Sequence, residues 1–307
     1  MKADASIRII YMGTPDFAVP GLEILIKNNF NVVAVITAPD KPAGRGLKLQ
    51  ISPVKEAALK YGIPVLQPEK LKSPDFLEQL RSFQADLQIV VAFRMLPELV
   101  WNMPRLGTFN LHASLLPQYR GAAPINWAII NGASETGLTT FFLKQEIDTG
   151  DILLQEKEPI LPEDNVGTLY ERLMNKGARL ILKTVLLVES GNYQPQAQIY
   201  SADLKSAPKI FKETCKIDWN LDAFSIHNLV RGLSPYPSAW AEINGDKFKI
   251  YTTKILPNQH LPLGTIHSDS KTYIHVQTAT DCIAILELQP EGKRRMKVED
   301  YLRGNKI

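Results

Sequence analysis

Cysteine is scarce in this sequence, because only Cys215 and Cys282 occur among its 307 residues. So few cysteines exclude a scaffold held by disulfide bonds and a cysteine-rich zinc site. Long apolar runs are also missing, since no stretch approaches the roughly 18 residues that a membrane span needs. The N-terminus lacks the apolar core of a signal peptide. We therefore expect no membrane association and a reducing, cytoplasmic location.

Histidine is rare as well, and His112 is the only one before residue 227. The remaining histidines lack the spacing of metal ligands, so no metal site is expected. The turn after the first predicted strand lacks the G-x-G-x-x-G sequence of dinucleotide-binding proteins. The net charge of +3 is small and arises entirely after residue 205. This excess either marks a surface for a polyanion or has no function.

The first part of the chain alternates short apolar runs with helical patterns. The runs that we interpret as strands are Ile7–Met12, Asn31–Thr37, Pro64–Leu66, Ala85–Ala92 and Gly107–His112. Helical patterns between them include those at Ser52–Tyr61 and Ser73–Phe83. This alternation predicts an α/β fold with a Rossmann-like, doubly wound and mostly parallel sheet.

A change of pattern divides the chain. Residues 192–208 carry two prolines and little periodicity, and we interpret them as an extended linker. A catalytic domain is therefore expected at 1–191 and a second domain at 209–307. The second domain has one short helix and about five β-rich runs, with a hairpin signal at Asn244-Gly245. These features predict a small OB-like β-barrel.

Capping residues predict two helix starts. After the first strand, Thr14 is the expected N-cap and Pro15 the first helical residue, with a bend or restart at Pro20. Further along, Thr168 and Glu171 have the spacing of a capping box at the start of a long amphipathic helix.

Asn110 and His112 are the first candidates for chemistry. Because side chains alternate along a strand, both point to one side of a predicted strand end, while Leu111 packs behind them. Ligands of open parallel sheets bind at the carboxyl ends of strands near a switch in strand order, and we expect this strand to end there. Two interpretations stay open, a polar pair bonded to the backbone and a binding site.

Asp148 precedes Thr149-Gly150 in a predicted turn, and a carboxylate beside an imidazole fixes its tautomer. Ser114 is a possible nucleophile, but it lacks a G-x-S-x-G elbow, so a covalent serine mechanism is disfavoured. Asn110, His112 and Asp148 instead suit direct group transfer between two bound substrates. In such a site the amide donates to an oxyanion and the imidazole handles a proton.

The run Asn110–Ile125, with Asp148–Asp151 downstream, resembles the signature of the folate-dependent formyltransferases. Other segments are similar to the branch of this family that acts on methionyl-tRNA, namely Met12–Phe17, Gln289–Lys293, Met296 and Asp300–Leu302. The resemblance extends over nearly the whole chain, and its Ser-Leu-Leu-Pro-x-Tyr-Arg-Gly core is specific.

The resemblance implies a Rossmann-like domain and an OB-like barrel, with 10-formyltetrahydrofolate as formyl donor and the amine of charged initiator methionyl-tRNA as acceptor. The product would be N-formylmethionyl-tRNA for translation initiation. The family's catalytic residues match Asn110, His112 and Asp148. Its folate contacts match a turn and a loop that contain Ser114, Leu115, Leu116, Pro117, Phe93 and Leu96. This sequence departs from the family at Arg94, where many members have glycine.

A long basic loop at 38–52 is either a solvated surface or a functional element. The family uses this loop at the acceptor end of tRNA, so Arg45 is expected to contact the first acceptor pair. A basic run in the C-terminal domain is either a set of phosphate contacts or a solvated surface. The residues expected to contact tRNA are Lys41, Arg45, Lys48, Lys293 and Arg294.

Other functions fit part of this pattern. The same catalytic residues would serve a formyltransferase for a small amine, such as a ribonucleotide or an amino sugar nucleotide, or a formylfolate hydrolase. A non-catalytic RNA-binding protein of the same fold is an alternative of a different class. The basic loop and the barrel favour the tRNA substrate, the intact polar residues favour an enzyme, and we expect a monomer.

Overall fold

The computed structural model of the protein describes residues 7–43 and 48–307, and these residues divide into two units. The first unit contains the described residues up to Arg120, together with Gly137–Glu158 and Glu171–Lys205. The second unit contains Gly121–Thr136, Pro159–Tyr170 and Ser206–Ile307. The domain boundaries expected at residues 191 and 208 stay predictions. No helix in the described ranges is long and apolar enough to cross a membrane.

In chain order, the strands are β1 (Arg8–Gly13), β2 (Asn31–Ile36), β3 (Lys41–Ala43), β4 (Lys48–Gln50), β5 (Val65–Leu66), β6 (Leu87–Val91), β7 (Thr108–His112), β8 (Arg120–Gly121), β9 (Glu135–Phe142), β10 (Ile152–Pro159), β11 (Ser206–Ala207), β12 (Ala239–Ile243), β13 (Asp246–Leu256), β14 (Ile266–Ser268), β15 (Ile274–Gln277), β16 (Cys282–Pro290) and β17 (Met296–Lys297).

The helices follow the same order. They are α1 (Val19–Lys27), α2 (Pro53–Lys60), α3 (Pro74–Ser82), α4 (Glu98–Trp101), α5 (Pro124–Ile130), α6 (Val166–Ser190), α7 (Ala223–Leu233) and α8 (Val298–Leu302). Single 3-10 turns lie at Asp16–Ala18 and Glu213–Cys215.

The first unit is built on a sheet that, among the described residues, has seven strands in the order β10-β9-β7-β6-β1-β2-β5. β1 is parallel to both β2 and β6, and β6 is parallel to β7. Every residue of β6 is buried, as expected for a central strand whose two faces are both covered. The predicted Rossmann-like, mostly parallel sheet is confirmed.

The switch in strand order lies between β1 and β6, because the chain runs outward from β1 through β2 to β5 and then returns beside β1. The prediction that the strand at 107–112 ends at this switch is therefore wrong by one strand. β7 lies between parallel β6 and antiparallel β9. Its carboxyl end still lies at the edge where parallel β1 and β6 end.

The first helix starts later than predicted. A 3-10 turn at Asp16–Ala18 precedes α1, which begins at Val19 with Pro20 in its first turn. Thr14 is therefore not the N-cap. Proline is tolerated in the first turn because the backbone N–H that it lacks has no partner there. The predicted restart at Pro20 is thus the true start of the helix.

The long helix α6 begins one turn earlier than its predicted capping box. Asn165 and Thr168 hydrogen-bond reciprocally, since the Asn165 Oδ1 accepts from the Thr168 backbone N–H at 3.0 Å and the Thr168 Oγ1 accepts from the Asn165 N–H at 3.2 Å. Thr168 therefore occupies the N3 position of the capping box rather than the N-cap. The predicted pairing of Thr168 with Glu171 is wrong.

The second unit contains an antiparallel half-barrel in the order β12-β13-β16-β15-β14, with β17 on β16, as far as the chain is described. The OB-like architecture is confirmed, with one more strand than the five predicted runs. Asn244 and Gly245 have φ values of 51° and 89°, as the tight turn between β12 and β13 requires. The inner faces of the strands and of α7 form one core, which includes Ile226, Val230, Phe248 and Ile283.

An ion cluster around the buried carboxylate of Glu158 joins β10 to α6 in the first unit. Glu158 is 8% exposed, and its carboxylate accepts from the Arg172 Nε at 2.9 Å and the Lys176 Nζ at 2.6 Å. Burial acts to raise the pKa of Glu158, but the hydrogen bonds from Lys176 and Arg172 outweigh it and hold the pKa below its ordinary value.

Acid is expected to weaken this ion cluster. A depressed folded-state pKa stabilises the protein above the unfolded-state pKa of Glu158, and that stabilisation is lost as the pH falls through the folded-state pKa. Lowering the pH from about 5 to about 3 should reduce the Tm of the wild type more than that of Glu158→Gln. Thermal unfolding at each pH measures both values. At pH 7 the variant should have the lower Tm, because Arg172 and Lys176 lose the negative charge of Glu158. Equal acid sensitivity of the two proteins would contradict the assignment.

Candidate active site

The carboxyl end of β7 presents Asn110 and His112. Phe109 and Leu111 point to the opposite side, where they are 0% and 4% exposed and belong to the core. Asn110 is half-buried, between Val90 of β6 and Phe141 of β9 in the strand register. Within the described part of the chain, no hydrogen bond to the Asn110 amide is present, so its two N–H groups are available to a ligand.

His112 is held by a backbone carbonyl. It is 7% exposed, and its Nε2 lies 2.9 Å from the carbonyl oxygen of Tyr119. Because a carbonyl oxygen only accepts, the Nε2 carries the hydrogen and donates it. Tyr119 has a φ of 59°, in the left-handed region. This backbone conformation helps to direct the Tyr119 carbonyl, in the turn after β7, toward the imidazole.

The other ring nitrogen of His112 faces Asp148. The Nδ1 lies 3.8 Å from the Asp148 Oδ2, which is within ion-pair range but too long for a hydrogen bond. Both ring nitrogens thus face protein groups, a carbonyl on one side and a carboxylate on the other. With the Nε2 hydrogen bonded to the Tyr119 carbonyl, the Nδ1 is the ring nitrogen that makes no hydrogen bond among the described residues, and the proton-transfer role predicted for His112 would use it.

The turn that carries Asp148 depends on a close backbone approach. Asp148 has a φ of 55°, and Gly150 is buried. A Cβ atom added to Gly150 would lie 1.6 Å from the carbonyl oxygen of Phe142, which is far inside van der Waals contact. Only glycine fits there, and this explains the glycine of the Asp-Thr-Gly sequence.

Gly150→Ala is expected to displace the turn and with it the Asp148 carboxylate. Because overpacking typically costs about 1–3 kcal/mol, the variant should unfold at lower denaturant concentration. If Asp148 acts in catalysis as the sequence predicts, the activity should fall at least about 10-fold, since misplacing a catalytic group by about 1 Å costs up to 10²-fold. Gly304→Ala is the control, because a Cβ there meets nothing within 4 Å. Equal activity of the two variants would rule out this role of the turn.

Residues of neighbouring strands fix the turn after β7. The Thr139 hydroxyl donates to the Ser114 carbonyl at 2.7 Å and accepts from the Leu116 N–H at 3.1 Å. The Gln155 amide donates to the Leu116 carbonyl at 2.8 Å and to the Thr139 hydroxyl at 2.9 Å. Sequence reasoning missed Thr139 and Gln155, because a side chain that bonds to a distant backbone leaves no local pattern.

The predicted folate turn differs in exposure along its length. Ser114 is fully buried, and its hydroxyl donates to the Gln118 carbonyl at 2.6 Å, so its side chain is bonded within the turn. Leu116 is buried as well, whereas Leu115 and Pro117 are half-buried. Any side-chain contact to a ligand here comes from Leu115 and Pro117.

The loop after β6 carries the other predicted folate contacts. Phe93 is half-buried, Leu96 is buried, and Met95 is 73% exposed. The Arg94 guanidinium donates to the carbonyl of Glu69 at 2.9 Å and to the carbonyl of Pro68. The arginine that departs from the family pattern therefore joins this loop to the segment after β5. β6 and β7 are parallel neighbours, so the loop and the turn follow strands that end at one edge of the sheet.

The predicted tRNA residues lie in both units. Lys41 is exposed on β3, which pairs with β4, the strand that contains Lys48, whereas Arg45 lies outside the described residues. Lys293 and Arg294 are exposed between β16 and β17 in the second unit.

Hydrogen bonds join the two ends of the 38–52 loop to each other and to the residues around them. Lys55 binds Asp40 at 2.5 Å and Gln67 at 2.7 Å, and the Thr37 and Ser52 hydroxyls lie 2.7 Å apart.

Comparison with known proteins agrees with this architecture. Residues 6–185 match the family described as formyl transferase, and residues 209–306 match the formyl transferase C-terminal domain. The methionyl-tRNA formyltransferase of Bacteroides fragilis is 54% identical over 307 residues, which are 97% of this chain and 95% of that protein. The chain belongs to the methionyl-tRNA formyltransferase family.

Two solved structures outside this branch share the fold. HypX from Aquifex aeolicus, solved with tetrahydrofolic acid, has a TM-score of 0.64 and 16% identity over 97% of this chain and 47% of its own. An N-formyltransferase from Helicobacter canadensis, solved with folinic acid and dTDP-3-aminofucose, has a TM-score of 0.67 and 23% identity over 91% and 99% of the two chains. At these identities the likeness shows the fold alone.

Proposed function

We propose that this protein transfers the formyl group of 10-formyltetrahydrofolate to the amino group of methionyl initiator tRNA. The observation that carries the proposal is the 54% identity with a methionyl-tRNA formyltransferase over nearly the full length of both chains. The polar residues at the end of β7 supply the groups that this reaction needs. The product is N-formylmethionyl-tRNA.

The residues that follow β6 and β7, at one edge of the sheet, offer apolar surface that suits the flat ring system of a folate. Met95 and Phe93 offer apolar surface after β6, and Leu115 and Pro117 offer it after β7. We propose that these residues, with Leu96 and the backbone of the 114–117 turn, hold the donor. Bound there, a formylfolate supplies an activated formyl carbon. The structures of the two fold relatives were solved with tetrahydrofolic acid and folinic acid, which supports a folate-derived donor rather than these particular contacts.

The catalytic roles that we propose follow from the geometry. The Asn110 amide has two N–H groups available to donate to the formyl oxygen as it gains negative charge. As the amine forms its new C–N bond and the bond to the folate nitrogen breaks, the amine loses one proton and the departing nitrogen gains one. His112, with Asp148 at 3.8 Å, is the group placed to handle this proton.

Contacts to tRNA are proposed for the basic residues. Arg45 and its neighbours Lys41 and Lys48 would act at the acceptor end, and Lys293 and Arg294 would bind phosphates from the C-terminal domain at 209–307. Neighbouring Arg295 is bonded differently, because it pairs with Glu287 and its guanidinium lies 4.4 Å from the ring centre of Tyr251. A monomeric state and a cytoplasmic location stay predictions.

Arg45→Ala is expected to weaken discrimination between charged tRNAs. Loss of one base contact typically costs about 1–3 kcal/mol, so the ratio of kcat/KM for initiator over elongator methionyl-tRNA should fall at least about fivefold. Arg81→Ala, on the exposed side of α3, is the matched control and should leave the ratio unchanged. An unchanged ratio in Arg45→Ala would refute the contact.

Acceptor choice tests the proposed function directly. The purified protein is given 10-formyltetrahydrofolate with charged initiator methionyl-tRNA, charged elongator methionyl-tRNA, glycinamide ribonucleotide or an amino sugar nucleotide, and formyl incorporation is followed. Selective formylation of the initiator is expected. Transfer only to a small amine, release of free formate, or no turnover with retained tRNA binding would each overturn the proposal in favour of one alternative.

A further inference from the structure

Gln198 belongs to the segment that the sequence predicted to be an extended linker, yet its side chain is fully bonded. Its Nε2 donates to the carbonyl oxygens of Asp148 at 2.9 Å and Gly150 at 2.8 Å. Its Oε1 accepts from the Arg120 Nε at 3.1 Å and Nη2 at 2.6 Å. All four residues belong to the first unit. The amide thus uses both donors and accepts twice, which is its full hydrogen-bonding capacity.

The two carbonyls that Gln198 binds lie on either side of Thr149, so the amide holds the turn from which the Asp148 carboxylate projects. Asp148 has a φ of 55°, a backbone conformation that an aspartate adopts at some cost unless its surroundings fix it. The hydrogen bonds from Gln198 are among the contacts that fix this conformation. A change in them would move the carboxylate relative to His112.

The other end of the network reaches the same histidine from the opposite side. Arg120 directly follows Tyr119, whose carbonyl accepts from the His112 Nε2 at 2.9 Å. The Tyr119 N–H in turn donates to the carbonyl of Lys205 at 2.7 Å. The contact from Arg120 to Gln198 therefore links two segments on either side of the imidazole. One carries the Tyr119 carbonyl that accepts from the Nε2, and the other carries the Asp148 carboxylate that faces the Nδ1.

We propose that Gln198, together with Arg120, is a positioning residue that holds the Asp148 carboxylate and the Tyr119 carbonyl at a fixed separation around His112. The inference rests on the proposed function, because it assumes that His112 and Asp148 act in formyl transfer. Gln198 touches neither substrate nor the imidazole and acts only through the two turns. The segment that contains it is therefore part of the catalytic framework.

Two substitutions separate the donor and acceptor halves of the amide. Gln198→Met removes all four hydrogen bonds at similar length. Gln198→Glu retains the acceptor for Arg120 but places oxygens against the carbonyls of Asp148 and Gly150. Gln194→Met is the matched control, since Gln194 is an exposed glutamine of the same segment. Steady-state kcat and KM for charged initiator tRNA and for the folate donor are measured for each, with the Tm as a check on folding.

Both Gln198 variants are expected to lose about 10–100-fold in kcat, with KM for either substrate changed less than about twofold. The control should keep the activity of the wild type. A kcat within about twofold of the wild type for Gln198→Met would overturn the inference. A rise in KM without a fall in kcat would also overturn it, because that result indicates a loss of substrate binding instead.

A double-mutant cycle with Asp148→Asn distinguishes positioning from general stabilisation. If Gln198 acts through Asp148, Gln198→Met should cost little further activity in the Asp148→Asn background. Equal losses in both backgrounds would show that Gln198 does not act through Asp148 and would refute the proposed positioning. The cycle also isolates the proposed function, because full activity of Asp148→Asn alone would contradict the catalytic assignment whatever Gln198 does.

Discussion

His112→Asn is expected to lower kcat for formylation of initiator methionyl-tRNA by about 10²–10⁴, the usual contribution of a positioned acid or base. Asparagine cannot gain and lose a proton in the neutral range, so any step that depends on the imidazole slows. KM for tRNA should change little, because His112 is 7% exposed and has no broad surface to offer a macromolecule. Steady-state kinetics with both substrates varied would measure the two effects separately.

His260→Asn is the control for the loss of a histidine. His260 is exposed in the second unit with a φ of 57°, which asparagine tolerates. It should therefore retain both the Tm and the activity of the wild type. His112→Asn loses its bond to the Tyr119 carbonyl, so its Tm should fall modestly. A folded His112→Asn protein with a kcat within about threefold of the wild type would contradict the catalytic role.

Part of the candidate site follows from strand periodicity. That Asn110 and His112 share one side of a strand needs only a period of two, and the apolar run at Ala85–Ala92 predicts another strand of the same sheet. Asp148 is different. Its distance from His112 depends on how the chain returns through β9, and no spacing rule gives that distance. The chemistry of a carboxylate beside an imidazole, together with the family resemblance, suggested this pairing, and the structure places the two side chains 3.8 Å apart.

Gln198 shows where sequence reasoning stops. A segment with no apolar periodicity is interpreted as a linker, because packing against a core is what produces periodicity. Gln198 is held instead by hydrogen bonds to carbonyl oxygens, which every residue possesses. The same limit applies to Thr139 and Gln155. Polar residues that fix distant backbone are visible only once the fold brings the segments together.

The predicted helix starts were wrong for a related reason. Proline favours the first turn of a helix, and the chain offers both Pro15 and Pro20 after β1. Local preference does not decide between them, and in the structure α1 begins at Val19. In the half-barrel, β17 has only two residues, too few for any alternation to appear. It is recognised as a strand only by its pairing with β16 in the structure.

Asn110→Ala is expected to lower kcat by roughly 10²–10³, the loss measured when a single oxyanion donor is removed from an enzyme. The carboxamide is half-buried at the end of β7, and the described residues make no hydrogen bond to it. A polar pair kept only for structure would have both members bonded to protein, as His112 is to Tyr119. Substitution of Asn110 should therefore lower kcat strongly and the Tm only a little. Substitution of an amide with a purely structural role would lower the Tm and leave kcat nearly unchanged.

Two further variants make this prediction sharp. Asn110→Asp keeps the size but replaces a donor by a charged acceptor, so it should be at least as slow as Asn110→Ala. Asn192→Ala removes an exposed asparagine elsewhere in the first unit and should leave kcat unchanged. If Asn110→Asp retained a kcat near that of the wild type, the amide could not be the donor to the formyl oxygen. Charge developing on that oxygen would then have to be stabilised by another group near the end of β7.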